Sequence, residues 1–532
     1  MAQLVVRASL LRHAPVTRTS PHARPTRGRT IAIVAAALPD PPSAYDHAAL
    51  TALRNAFVAA EFTVERVEIA LGAGELSTRP ADVAVHELRL SEGDAFTTLA
   101  RFFLLGLTLD AARLARALAP LGVGELEALR LAEPAGNGVR ATVRLVPHGD
   151  YYLASDLAGA SLADAAPDWV PGVQAPSVTL AKLAVRTSVA RALDLGTGCG
   201  IQALLAAKHS ERVVATDLNP RALAFAAFNA ALNEVSTIEL REGDVLDPVA
   251  GERFGLVVAN PPYVISPDSL YRYRDSGLPG DEICRRVVSG IPAHLEEGGF
   301  AHVLVSWAHG GDDDWSGPLR GWVEGGGCDA WLLHYKSEDP VTHAASWLLP
   351  LADADPAAHR AALDRWMTYL RAQRIEAIGY GAVVLRRRSG ATNWIRTDEI
   401  PLDRLESAGE HTLRAFAAAD LLREIDDGAL LAERVVLVDH HRIEQSLVVR
   451  DGAVVVEGQT LELTDGLGFR AGLDRYAAAL VRALGTPRSV GDALASGAGE
   501  LGLAGDDRAR FDGAGLDVVK RLLELGFLVR AA

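Results

Sequence analysis

Three short apolar runs between Arg191 and Tyr263 each end on residues that carry chemistry, and this pattern restricts the fold more than any other feature. Ala192-Leu193-Asp194-Leu195 runs straight into Gly196-Thr197-Gly198-Cys199-Gly200, Val213-Val214-Ala215-Thr216 ends on Asp217, and Leu256-Val257-Val258-Ala259 delivers Asn260-Pro261-Pro262-Tyr263. Glycine at alternate positions frees the backbone for a tight turn and brings it against a ligand with no Cβ in the way. The first run therefore predicts strand, turn and helix. Parallel strands with functional groups at their C-terminal ends describe a doubly wound α/β sheet, which binds ligands outside those ends.

The alternation continues along the chain. Strands are predicted at Ala192, Val213, Ile238, Leu256, Phe300 to Ser306, Asp329 to Tyr335 and Ile378 to Leu385. Helices are predicted around Thr179, from Ile201 and Pro220, near Asp281 to Ser289, near Trp315 to Val323 and over Ala357 to Arg371. This is a Rossmann-like α/β domain, a mostly parallel seven-stranded sheet with helices on both faces.

A chain of 532 residues exceeds the roughly 250–300 residues at which a single core stops growing. Four segments are expected: a disordered basic tail over 1–29, an α-rich winged-helix-like domain over 30–150, the sheet domain over 151–390, and a C-terminal α+β domain over 391–532 with a winged-helix-like end. The net charge of -15 works against non-specific binding to phosphate backbones. Cys199, Cys284 and Cys328 are odd in number and far apart, which argues against a disulfide framework or zinc site and for a reducing, cytoplasmic setting. No apolar run nears the roughly 20 residues of a membrane span. His440-His441 lacks a third ligand nearby, so no metal site is expected.

The ends of the three runs point to a reaction class. Asp217 ends its strand where a carboxylate can accept hydrogen bonds from ribose hydroxyls, and Gly243-Asp244-Val245 follows the third strand, where an adenine amino group can be read. An amide or ring amine is a poor nucleophile because its lone pair is delocalised. The Asn260 side-chain oxygen and the Pro261 carbonyl can each accept one hydrogen of such an NH2 group, orient the nitrogen and stabilise charge as a methyl arrives. Pro261 and Pro262 stiffen the loop. Tyr263 can stack on a planar target.

Asp194 to Gly200, Ala215 to Ala222 and Val258 to Tyr263 resemble class I S-adenosylmethionine-dependent methyltransferases of the HemK/PrmC type, which methylate glutamine side chains in release factors. They are also similar to the small-domain RNA guanine and N6-adenine enzymes that share Asn-Pro-Pro. The resemblance implies S-adenosyl-L-methionine held by Asp194, Gly196, Thr197, Gly198, Cys199, Gly200, Asp217, Leu218, Asn219, Asp244, Val245 and Asn260. It implies catalysis by Asn260, Pro261, Pro262 and Tyr263. The whole chain looks like an actinobacterial methyltransferase group. Tyr263, Arg274 and Asp281, the latter two in a charged aromatic loop after the motif, are the candidates for binding the acceptor. The leading acceptor is a protein glutamine; an RNA or DNA exocyclic amine and a small-molecule amine are the alternatives. A nucleic-acid enzyme should carry a basic rim around Tyr263. From another class, a degenerate cofactor-binding module is disfavoured by the complete motif. The winged-helix-like flanks suit partner binding or a homodimer. Two departures from the release-factor pattern stand out: residues 391–532 have no counterpart there, and Gln174-Ala175-Pro176-Ser177-Val178-Thr179 replaces a Pro-Arg-Pro-x-Thr-Glu type loop.

Overall fold

The computed structural model describes residues 38–72, 80–90, 93–157, 166–269, 271–310, 314–390 and 392–531; the expected basic tail at 1–29 lies outside them. The central elements are α1 (Ala175–Leu183), β1 (Val189–Leu195), α2 (Ile201–Ala207), β2 (Ser210–Asp217), α3 (Pro220–Leu232), β3 (Ile238–Glu242), β4 (Phe254–Ala259), α4 (Glu282–Gly290), β5 (Leu295–His309), α5 (Gly317–Val323), β6 (Cys328–Glu338), α6 (Pro340–Ala354), α7 (Pro356–Ala372), β7 (Ala377–Arg387) and β8 (Ile395–Glu399).

The sheet order is β8-β6-β7-β5-β4-β1-β2-β3. β7 runs antiparallel to both its neighbours, and every other pair is parallel. The sheet thus has eight strands, one more than the sequence predicts, and it extends past residue 390. β8 reads Ile-Arg-Thr-Asp-Glu and is half-exposed along its length, so this edge strand offers no apolar run to recognise. α6 also escapes the sequence pattern, because Pro350 lies inside it and proline normally ends a helix.

The central strands are buried on both faces, and their residues divide by the period of two that a strand imposes. Ala192, Val213, Ala215, Leu256 and Val258 face one apolar layer with Leu180, Leu183 and Ala203. Leu193, Leu195, Val214, Val257 and Ala259 face the other with Ile283 and Val287 of α4 and Leu319 of α5. The first layer continues without a break into the C-terminal part. Phe416, on the helix Gly409–Glu424, meets Phe300 edge-on at 5.2 Å and Trp394 at 4.6 Å.

Each flank combines helices with short antiparallel strands. On the N-terminal side, helices Ala111–Leu118 and Val123–Ala128 precede the hairpin Ala132–Ala135/Gly138–Ala141, and Leu109 bridges Val139. On the C-terminal side, helices Arg475–Ala483, Val490–Glu500 and Gly505–Glu524 pack with a three-stranded sheet of Arg434–Leu437, Arg488–Ser489 and Leu528–Arg530.

A second N-terminal hairpin, Val143–His148/Tyr151–Asp156, joins this flank to the sheet domain through α3. The Asn229 side chain accepts from Ala154 N at 2.7 Å and donates to Ala154 O at 2.9 Å. One turn later Asn233 does the same with Tyr152, at 2.9 and 2.7 Å. Two amides four residues apart on a helix lie on one face and here stand in for a neighbouring strand. Below them Arg221 donates Nε to Asp156 at 2.9 Å and Nη2 to its other oxygen, and the pair is buried.

Candidate active site

The backbone of the glycine turn is as the motif requires. Gly196, Gly198 and Gly200 have φ of 74°, 54° and 87°, a left-handed region that favours glycine. A Cβ on Gly196 or Gly198 would stand in open space, 3.9 Å from the Asn260 carbonyl in the first case and beyond 4 Å of everything in the second. Gly200 is different, since a Cβ there would press on Ala226 Cα at 3.1 Å. The first two glycines keep a cradle open; the third lets α2 pack on α3.

Asp194 supports the turn from below. It is buried, and its Oδ2 accepts from Thr197 Oγ1 at 2.7 Å and from Ala203 N at 3.0 Å. Burial pushes its carboxyl up from 3.8 to about 7, against those two hydrogen bonds. Asp217, at the end of β2, accepts from Gly198 N at 2.9 Å through one oxygen and from Asn219 N at 2.8 Å through the other. Burial raises its carboxyl above the ordinary value, opposed by the Asn219, Gly198 and Leu218 amides and by the charge of Arg272. Asn219 caps α3, accepting from Arg221 N at 3.0 Å, and donates to Asp168 O at 2.8 Å.

One cavity of about 560 Å³ joins these groups to the end of β4. Gly196, Thr197, Gly198, Cys199, Asp217, Leu218, Asn219, Asp244, Val245, Asn260, Pro261 and Pro262 all line it. Asp194 and Gly200 stand behind the lining. The Asn260 side chain has no hydrogen-bond partner among the described residues, so its amide is free to meet a ligand. Leu218 is an exposed apolar side chain on the wall.

The expected acceptor residues lie elsewhere. Tyr263 packs against both apolar layers at the end of the sheet, outside the cavity lining. Its carbonyl accepts from Ser306 Oγ, it bridges Asp275, and burial holds its hydroxyl above the ordinary tyrosine value. Arg274 is buried, donating Nε to Asp275 at 3.1 Å and Nη1 to Trp347 O at 3.4 Å beneath the Tyr271 ring. Asp281 accepts from Ala308 N at 2.9 Å and lies outside the lining. These side chains hold the loop after the motif in place.

Their neighbours reach the cavity instead. Arg272, Tyr273, Asp275 and Leu278 line it from this loop, and Trp169, Gly172, Gln174 and Ser177 line it from the segment before β1. The two segments meet where Trp169 touches Tyr273 edge-on at 5.3 Å and Arg272 N donates to Pro167 O at 3.2 Å. The α6 and α7 pair fixes the loop from behind. His343 Nε2 bonds Ile265 O at 2.8 Å, Trp366 Nε1 donates to Asp268 at 2.8 Å, and Gly280 N donates to Tyr369 OH at 2.8 Å. Tyr273 belongs to the charged aromatic loop after the motif that the sequence places beside the acceptor, whereas Trp169 gives no such sign, because a lone loop aromatic does not show which segment it meets.

Two family models match the chain: "Methyltransferase small domain" over residues 174–303 and "Domain of unknown function (DUF7059)" over residues 59–142. A release factor glutamine methyltransferase of Xylella fastidiosa is 36% identical over 132 residues, which cover 23% of this chain and 48% of the relative. A Methanocaldococcus jannaschii protein assigned as a protein N5-glutamine methyltransferase is 33% identical over 137 residues, covering 24% of this chain and 68% of the relative. A ribosomal protein uL3 glutamine methyltransferase of Bradyrhizobium diazoefficiens is 34% identical over 126 residues, covering 21% and 40%. The chain thus spans about half the length of the first curated relatives it matches.

Proposed function

The chain belongs to the HemK/PrmC-like class I methyltransferases, and from that premise we propose that it methylates the side-chain amide nitrogen of a protein glutamine, using S-adenosyl-L-methionine. The observation that carries this reading is that the unclaimed Asn260 amide and the open glycine cradle line the same cavity. The residues fit such a cofactor. Gly196 and Gly198 leave room for it, Asp217 offers a carboxylate for ribose hydroxyls, and Asp244 and Leu218 flank the space an adenine would need. When bound, S-adenosyl-L-methionine supplies an electrophilic methyl group on a sulfonium.

The chain's own contribution is orientation. Asn260 Oδ1 and the Pro261 carbonyl accept the two hydrogens of the target NH2, which holds the nitrogen in line and stabilises positive charge as it forms there. Pro261 and Pro262 fix these acceptors in advance. A protein acceptor is supported over a nucleic acid by the charge of the lining. Its cations are Arg272 and Arg286, set against Asp217, Asp244 and Asp275, and Arg286 is already paired with Glu282 at 3.1 Å. That is not a basic rim.

The test is to incubate the full chain with methyl-labelled cofactor and fractionated cell extract, then hydrolyse the labelled material. Label recovered in protein as N5-methylglutamine supports the reading. Label confined to RNA, DNA or small molecules overturns the acceptor, and no transfer to any fraction overturns the activity.

A further inference from the structure

The hairpin formed by His441–Arg450 and Ala453–Leu463 has no part in the site described. Its turn, Asp451-Gly452, has φ of 52° and 78°, the pair of left-handed residues that a two-residue type I′ turn needs. Its base is anchored: Leu461 and Leu463 sit in the apolar core, and Arg470–Leu473 pairs with Gln459–Glu462. Beyond that third strand the hairpin is only two strands wide. There Leu447 opposes Val456 and Val449 opposes Val454. Directly opposed residues share a face, and these four are 58%, 47%, 71% and 67% exposed.

A two-stranded ribbon is marginal in water by itself, and this one leaves its aliphatic side chains about half-exposed or more. Strand His441–Arg450 is also the outer strand of its sheet, paired on one side only among the described residues. Proteins usually blunt such an edge with charge or proline; this strand has no proline, and its middle, Gln445 to Val449, has no charge. We propose that the hairpin is a self-association arm, in which His441–Arg450 pairs antiparallel with the same strand of a second copy of the chain.

Charge selects the register. A two-fold axis through the sheet keeps each face on its own side, so the strand must pair about one of its own residues. Centred on Leu447, the pairing sets Glu444 against the second copy's Arg450, twice per dimer. Centred on Ser446 it would set Arg442 against Arg450, like against like. Within the single chain Glu444 pairs with Arg470 at 2.7 Å and Arg442 at 3.0 Å and Arg450 with Glu457 at 2.9 Å, yet their side chains stay 45% and 65% accessible, so each can also reach across the axis. The Leu447 register brings the two Leu447 side chains together and continues the aliphatic face from one copy to the other.

Sedimentation velocity of the full chain from about 1 to 100 μM tests this. A reversible dimer is expected. Glu444→Arg should weaken it about tenfold, since two opposed pairs become like-charged, and adding Arg450→Glu should restore it. The three native cysteines are buried, so Leu447→Cys should give a disulfide-linked dimer on mild oxidation. Two opposed residues lie within disulfide reach, whereas Val449→Cys, displaced along the strand from its own copy, should not cross-link. Circular dichroism checks that each variant is folded. A monomer over the whole range, a dimer indifferent to Glu444→Arg, or equal cross-linking at both positions overturns the proposal.

Discussion

Asn229→Ala is the change that most directly probes how the N-terminal flank is tied to the cavity. Asn229 is fully buried and satisfies three backbone groups: Ala154 N at 2.7 Å, Ala154 O at 2.9 Å and Cys199 O at 2.8 Å. Alanine supplies none of these contacts and is too small a gap for water to serve all three. Each of the three buried backbone groups left unpaired costs about 1–3 kcal/mol, so the loss should be about 3–9 kcal/mol, a large part of the roughly 5–15 kcal/mol that holds a typical protein folded. Asn233→Ala frees a comparable set of groups nearer the surface and should cost less. The assay is urea unfolding followed by circular dichroism with linear extrapolation. Because the Cys199 carbonyl belongs to the glycine turn, Asn229→Ala should also weaken binding of the cofactor in calorimetry, while Asn233→Ala leaves it unchanged. A loss below about 1 kcal/mol for Asn229→Ala, or a larger loss for Asn233→Ala, would refute the reasoning.

Asp217→Ala should raise the dissociation constant for S-adenosyl-L-methionine by about 10- to 100-fold, the worth of charge-assisted hydrogen bonds to ribose; calorimetry that finds the affinity unchanged sinks the ribose role. The raised Asp194 carboxyl makes a pH prediction. A folded value of about 7 against an ordinary 3.8 means that the stability Asp194 contributes is complete below about pH 4 and is lost as pH rises through about 7. Asp194→Asn keeps an oxygen for Thr197 and Ala203 without the ionisation, so wild type should lose stability relative to it between about pH 4 and 8. A constant difference across that range contradicts the assignment.

The parts of the fold legible in the sequence are those where one residue type is forced by geometry. Gly196, Gly198 and Gly200 need positive φ, Asp217 and Asn260 must stand at strand ends, and all of them appear where the apolar runs stop. What escaped reading depends on partners far away in sequence. β8 is polar because it lies at an edge, and α6 carries Pro350 while its Ala344 and Leu348 pack against Val264 and Trp366. Asn229 and Asn233 read as ordinary polar residues until the strand Tyr151–Asp156 is laid beside α3. The same reason explains the acceptor loop. Alternation alone could not tell Arg272, Tyr273 and Asp275, which reach the cavity, from Arg274, which turns inward beneath Tyr271 toward Trp347.

Asn260, which lines the cavity beside the glycine cradle, is expected to act chiefly on the acceptor and only secondarily on the cofactor. The most direct measurement compares wild type with Asn260→Ala for two quantities, the dissociation constant for S-adenosyl-L-methionine by calorimetry and the rate of label transfer to the acceptor fraction. Affinity should stay within about threefold while transfer falls by about 100- to 1,000-fold, the size of losing a preorganised acceptor at a developing charge. Transfer at the wild-type rate, or a loss of transfer fully explained by lost cofactor binding, would contradict the claim.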